Sequence, residues 1–148
     1  MMIGAKMGNS SFKNSARLTC NAGLSFAAWP LSRRGWHVTP TIRHARGSDM
    51  LVTDADKVRK FGVQSRALSK RQAASLGRDL TALRAEWWII TIHANSDNPV
   101  CYILTIDEVR KLASQDKGGQ QAYWLEPRDY DRDEYRDAWE RIGLAPAA

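Results

Sequence analysis

The chain has 148 residues, of which 43% are hydrophobic and 26% are charged, and these values are ordinary for one globular domain. At this length folding buries roughly 68–70% of the surface that the unfolded chain exposes, so a core can form without disulfides or a structural metal. The two cysteines, Cys20 and Cys101, are far apart and in no C-x-x-C array. They are predicted to be buried thiols in a reducing compartment.

The sequence contains no candidate membrane span. Its longest apolar run, residues 87–92, is far shorter than the roughly 18 residues that a transmembrane helix requires. The polar N-terminus lacks the apolar stretch of a signal peptide, so we expect a cytoplasmic protein with no membrane partner. We further expect a flexible N-terminus over residues 1–12, a single domain over 13–143 and a C-terminal tail over 144–148.

Charge is distributed unevenly along the chain. Residues 1–78 contain 14 Lys and Arg against 3 Asp and Glu, whereas residues 79–148 contain 8 against 13. A basic region of this kind is typical of a protein that binds a phosphate-rich partner, although basic loops can also serve solubility alone. The candidate nucleic-acid contacts are Arg33, Arg34, Arg43, Arg46, Lys70, Arg71 and Arg78.

The first half of the chain predicts one helix and three strands. Helical spacing of small and apolar residues indicates a helix over 13–34. Aromatic and β-branched residues predict a strand over 36–42, and a second, short strand follows over 49–53. The turn at 54–57 then leads into a third strand over 59–67.

The second half predicts a basic loop over 69–84 that runs into a short helix, and then the most apolar strand, 86–94, at the centre of the sheet. A strand over 100–104 precedes a helix over 106–113, and another strand covers 121–125. Residues 129–142 have the spacing of a charged terminal helix, with Tyr135, Ala138, Trp139 and Ile142 on its apolar face. This order predicts an α/β protein of the α+β kind, with a central mixed sheet flanked by helices.

Three residues on the second and third strands form the candidate catalytic site. Asp49 opens the second strand after Gly47-Ser48, and Gln64 and Arg66 lie two residues apart on the third. Residues two apart in a strand point to the same face, and antiparallel neighbours bring Asp49 and Gln64 within reach of one ion. No phosphate-binding glycine motif, zinc-protease motif or serine nucleophile elbow is present, so those enzyme classes have no support.

This layout resembles the PD-(D/E)XK nuclease superfamily, whose members share the restriction-endonuclease-like fold. The family motif is an Asp after a small turn, then Glu or Gln, any residue and Lys, and here it reads Asp49 and Gln64-Ser65-Arg66. The resemblance implies that Asp49 and Gln64 are metal ligands that hold Mg²⁺ beside the scissile phosphate. It implies DNA as the partner, and it places Arg66 where the family Lys steadies charge on that phosphate.

The sequence departs from the family pattern in ways that leave its activity open. Leu24 lies where many members carry a Glu, and Arg66 cannot act as a general base because its pKa exceeds about 12. With Gln64 neutral, Asp49 is the single anionic ligand unless Asp54 or Asp56 contributes, so Mg²⁺ affinity should be weak.

Several alternatives therefore stand beside a Mg²⁺-dependent endonuclease. Asp49 can simply cap a turn, and Gln64 with Arg66 can form a solvated strand edge or bind phosphate without cleaving it. The chain as a whole can be an inactive pseudonuclease that binds nucleic acid or a protein, with the acidic segment 129–140 facing that partner. An accessory role in a larger system, and a homodimer, also stay open.

Overall fold

The computed structural model describes residues 8–41, 48–118 and 121–146, which form eight strands and three α-helices. The helices are α1 (Gly8–Arg33), α2 (Ile106–Leu112) and α3 (Pro127–Tyr130). The strands are β1 (His37–Pro40), β2 (Met50–Thr53), β3 (Lys60–Ala67), β4 (Ala74–Gly77), β5 (Trp87–Ile92), β6 (Val100–Thr105), β7 (Ser114–Gln115) and β8 (Tyr123–Leu125). Short 3₁₀ turns cover Leu80–Ala82 and Trp139–Arg141.

Five strands form a central mixed sheet in the order β1-β2-β3-β5-β6, which confirms the predicted fold class. β3 pairs antiparallel with β2 and parallel with β5. The prediction that the most apolar strand, β5, is central was wrong by one position, because β3 has two strands on each side. β5 is nevertheless buried along most of its length, since it lies between β3 and β6.

The two faces of this sheet are covered by different layers. On one face α1 packs over a core that includes Val63, Ile89 and Ile103. On the other, the small sheet β4-β8-β7 and α2 pack over Trp88 and Leu104, and these residues belong to a second core cluster. Because neighbouring side chains in a strand point to opposite faces, β5 and β6 contribute to both cores.

The α1 helix lies close to β3 at Gly23, a glycine of the helix. A Cβ at Gly23 would lie closer to the Cβ of Ala67 than two carbon atoms can approach, so one of the two would have to move. The missing side chain therefore lets the helix backbone approach the end of β3. This contact positions the middle of α1 beside the strand that carries Gln64 and Arg66.

The predicted helix over 129–142 is wrong. Only α3 and a 3₁₀ turn are helical there, although Tyr135, Ala138 and Trp139 are buried as expected. The backbone instead bonds to the edge strand β6: the Ile103 N–H donates to Tyr135 O at 2.9 Å, and the Asp137 N–H donates to Cys101 O at 2.7 Å. Pairing with an otherwise open strand edge outweighs the local helical pattern.

Two smaller expectations also differ from the structure. Residues 74–77, expected to be loop, form β4 because they pair with β8, a partner distant in the sequence. Cys20 is exposed, whereas Cys101 is buried as expected.

The capping box of α2 is confirmed: the Thr105 hydroxyl accepts from the Glu108 N–H at 3.2 Å, and the Glu108 carboxylate accepts from the Thr105 N–H at 2.8 Å. Among the described residues, none of the helices combines the length and apolar character needed to span a bilayer.

Candidate functional site

Asp49 and Gln64 meet at the start of β2. The backbone N–H of Asp49 donates to Val63 O at 2.9 Å, and this bond holds the residue against β3. One carboxylate oxygen of Asp49, Oδ2, accepts from Gln64 Nε2 at 2.7 Å and from the Ser65 N–H at 2.8 Å. Both side chains are buried. Asp49 and Gln64 thus meet in the structure, and their role as site residues stays a prediction.

A cavity of about 240 Å³ opens beside Asp49, between α1 and the end of β3. Its lining residues are Cys20, Asn21, Leu24, Thr41, Asp49, Ser65 and Arg66. Leu24 lies in the cavity wall, so α1 presents an apolar side chain at this point. An apolar side chain at that point leaves Asp49 as the carboxylate of the wall.

Arg66 borders the cavity, as its place two residues after Gln64 predicts. Its side chain is half-buried, with Nε donating to Ser75 O at 3.0 Å and the guanidinium 5.5 Å from the centre of the Trp88 ring. Burial lowers the pKa of Arg66 from its ordinary value, and the charge of Asp49 opposes that shift. A guanidinium held in this way can donate to a phosphate oxygen but remains unsuited to general-base chemistry.

Few protein groups near Asp49 could coordinate a hard divalent cation. The described residues contain no group of three or more His, Cys, Asp or Glu side chains placed to hold a metal ion. Asp49 offers carboxylate oxygens, and Gln64 would present its carbonyl oxygen after its amide turns by half a rotation. Mg²⁺ commonly keeps several waters and takes one or two carboxylates, so this sparse set suits it.

The two other aspartates considered as ligands have a different role. Asp54 caps the turn between β2 and β3, where its Oδ1 accepts from the Val58 N–H at 2.8 Å, and Asp56 is exposed in the same turn. This turn is at the opposite end of β2 from Asp49. The structure therefore leaves both aspartates out of the cavity.

Those predicted nucleic-acid contacts that the structure describes lie on separate segments: the end of α1, the loop after β3 and the end of β4. Lys70 is exposed in the loop after β3, which borders a second cavity that shares Cys20 with the first. Arg71 is already bonded to Asp131, with 2.6 Å between Nε and Oδ2. Arg78 is exposed after β4.

The remaining basic candidates lie elsewhere in the chain. Arg33 and Arg34 are at the C-terminal end of α1, thirteen or more residues beyond Cys20 and therefore about 20 Å along the helix axis. Arg33 covers the ring of Trp29, and Arg34 donates to Pro30 O at 3.1 Å. Arg43 and Arg46 lie outside the described residues.

Sequence reasoning missed three residues of the cavity wall. Cys20 and Asn21 reach the cavity because α1 crosses the end of β3, and Thr41 reaches it through backbone pairing of its N–H with Asp49 O at 2.8 Å. Helical spacing from Leu24 suggests Cys20, one turn earlier. No local signal in the sequence indicates Asn21 or Thr41.

Comparison with known proteins gives a fold but no sequence relative. No protein-family model matches the sequence, and no curated protein is similar to it. Among solved structures, the chain is similar to a bacterial homing endonuclease, I-Ssp6803I, with a TM-score of 0.58 and 16% identity. The match covers 87% of this chain and 93% of that one. The protein therefore has a nuclease-like α+β fold.

Proposed function

We propose that this protein is a nuclease-like DNA-binding protein of the PD-(D/E)XK kind, which hydrolyses phosphodiester bonds with Mg²⁺. The observation that carries the proposal is the Asp49–Gln64 pair at a cavity bordered by Arg66, within a fold that a homing endonuclease shares. The cytoplasmic location expected from the sequence stays a prediction, as does an assembly with a second copy or a protein partner.

Each side chain has a distinct role in this proposal. Asp49 and Gln64 would hold Mg²⁺, which supplies an activated water and stabilises charge on the phosphate when bound. Arg66 would donate to the phosphate oxygens, because its planar guanidinium matches two of them at once. Lys70 would contact the DNA backbone from the loop that follows β3.

An inactive pseudonuclease is the second candidate, and two observations favour it. The Gln64 amide N–H donates to Asp49 Oδ2, a carboxylate oxygen that would otherwise be available to a cation. Leu24 places an apolar group in the wall of the cavity. In this case the protein would bind DNA through the same basic residues without cleaving it.

Nicking of supercoiled plasmid with Mg²⁺, Mn²⁺ or EDTA tests the proposal. We expect metal-dependent nicking by the wild-type protein, its loss in Asp49→Asn, and its retention in Asp56→Asn, which removes an equal charge from the exposed turn. Arg66→Lys should nick at least as fast as wild type, because a compact ammonium can sit beside the attacking water.

The outcomes separate the two candidates. Nicking by Arg66→Lys but not by wild type would identify a disabled nuclease site. DNA binding without nicking by either folded protein would leave the binding-only role. If neither protein nicks or binds DNA, the proposal is wrong.

A further inference from the structure

A third cavity, an open cleft, lies at the opposite end of β3 from Asp49. Its volume is about 360 Å³, within the lower range of small-molecule pockets and enough for one nucleotide. Its lining residues are Trp36, Val58, Arg59, Lys60, Phe61, Trp87 and Ile142. Ser65 in the Asp49 cavity is four positions beyond Phe61 along β3, a distance of about 13 Å in a strand. The two cavities share none of their lining residues.

The walls of this cleft are aromatic and held in place. Phe61 and Trp87 are half-buried and line the cleft, and the Arg141 guanidinium lies 5.8 Å from the centre of the Trp87 ring. Trp36 packs edge-on against Phe61, with ring centres 5.0 Å apart, and its Nε1 donates to Gly143 O at 2.9 Å. Partly exposed rings on a rigid strand pair can stack against a nucleobase, since every base presents a π-face.

Two cations stand at the start of β3 beside these rings. Arg59 and Lys60 are exposed, and within the described ranges neither forms an ion pair with a carboxylate. Glu86, on the adjoining strand, accepts a hydrogen bond from the Gly62 N–H. The cleft therefore combines aromatic surface with positive charge that has no anionic partner in this part of the chain.

We propose that this cleft binds an unpaired nucleotide of a nucleic-acid strand, with the base against Phe61 and Trp87 and the phosphate near Arg59 and Lys60. The inference rests on the nucleic-acid binding of the proposed function but not on cleavage. An unpaired nucleotide is required because a base inside a duplex is stacked on both faces and cannot reach a ring. Aromatic stacking and charge attraction are separable contributions, so each can be removed alone.

The test measures binding of a fluorescein-labelled oligothymidylate across a salt series, with a duplex of mixed sequence alongside. Trp87→Leu keeps an apolar side chain and removes a ring, and its matched control is Trp29→Leu on the exposed face of α1. Arg59→Ala with Lys60→Ala removes two charges, and its control is Lys111→Ala with Lys117→Ala, two exposed cations on the other half of the chain. Thermal melts establish whether each variant is folded. If Trp87→Leu does not fold, Phe61→Leu replaces it as the variant that lacks a ring.

We expect Trp87→Leu to weaken oligothymidylate binding at least about fivefold with an unchanged salt dependence, because stacking involves no released counterion. The Arg59/Lys60 variant should reduce the slope of log affinity against log salt by about 0.7, as one single-strand phosphate is lost. Controls should match wild type, and duplex binding should change little.

Other outcomes overturn the inference. If wild type binds DNA but the cleft variants bind oligothymidylate like their controls, the cleft is not a nucleotide site, while the proposed function stands. Equal weakening of duplex and single-strand binding would contradict the preference for an unpaired nucleotide. If wild type binds neither nucleic acid, the proposed function fails first and the inference fails with it.

Discussion

Asp49 shows how one buried carboxylate can serve both the fold and the cavity. The hydrogen bonds that its side chain accepts from the Gln64 amide and the Ser65 N–H join the start of β2 to β3. Hydrogen bonds to charged groups typically contribute about 1.5–3 kcal/mol each, and removal of the acceptor leaves buried donors unsatisfied. Asp49→Asn is therefore a better probe of chemistry than Asp49→Ala, because it keeps an acceptor oxygen.

Asp131 is a second carboxylate that connects distant parts of the chain. It accepts from the Tyr102 hydroxyl at 2.7 Å and from Arg71 Nε at 2.6 Å, and so it ties the basic loop to the C-terminal segment. The hydrogen bond from Arg71, followed by that from Tyr102, lowers the pKa of Asp131 from its ordinary value. A lowered folded-state pKa means stability that is present above the unfolded pKa and lost as pH falls through the folded one.

We predict that Asp131→Asn lowers the free energy of unfolding at neutral pH by at most about 1 kcal/mol, since the Arg71 partner is half-exposed and screened. The difference from wild type should shrink as pH falls through the lowered folded-state pKa of Asp131, where the wild-type carboxylate becomes protonated. Urea denaturation over a pH series measures both effects. Asp133→Asn, an exposed neighbour, is the control, and a pH-independent difference for Asp131→Asn would contradict the assignment.

At the scale of elements, the contact between α1 and β3 shapes the cavity. Gly23 lies against Ala67. Cys20, about one helical turn before Gly23, and Leu24, directly after it, line the cavity. Moving the helix outward would therefore alter the cavity as well as the core. Helix propensity and packing make opposite demands at position 23, because Ala is the better helix former and Gly the better fit.

We predict that Gly23→Ala lowers the free energy of unfolding by about 1–3 kcal/mol, because overpacking outweighs the gain in helix propensity. Ser25→Ala, on the exposed side of α1, is the matched control and should be neutral or stabilising by a few tenths of a kcal/mol. Chemical denaturation of both variants measures these changes. A stabilised Gly23→Ala protein would mean that α1 can shift without cost.

The whole molecule carries opposite net charges on its two halves, +11 on residues 1–78 and −5 on residues 79–148. Folding partly offsets this division, since the Arg71–Asp131 ion pair joins the two regions. Lys70, next to Arg71, is exposed and has no ion pair within the described ranges. Binding of duplex DNA should therefore depend more on Lys70 than on Arg71.

We predict duplex binding at low salt, with an affinity that falls by about 0.9 log units per log unit of salt for each phosphate neutralised. Lys70→Ala should reduce that slope by about 0.9, whereas Lys117→Ala should leave it unchanged. Fluorescence anisotropy across a salt series provides the slopes. Absence of binding at low salt, or an affinity that does not change with salt concentration, would rule out this electrostatic interface.

The sequence by itself determined those features that follow from local periodicity. Alternation along β3 placed Gln64 and Arg66 on one face, and Thr105 with Glu108 marked the start of α2. Turn residues at 54–57 set the hairpin, and this hairpin brought Asp49 against β3. Each of these depends on contacts within a few residues or across one tight turn.

Only the tertiary structure decided which distant segments pair. Residues 131–138 follow the edge of β6 in place of a helix, and β4 forms because β8 lies beside it. The exposure of Cys20 and its place at the cavity likewise depend on how α1 crosses β3. The unpaired backbone groups of an edge strand can hydrogen-bond to any segment that folding places beside them, and a helix can pack across any strand with a compatible surface. The local sequence pattern therefore does not identify the partner.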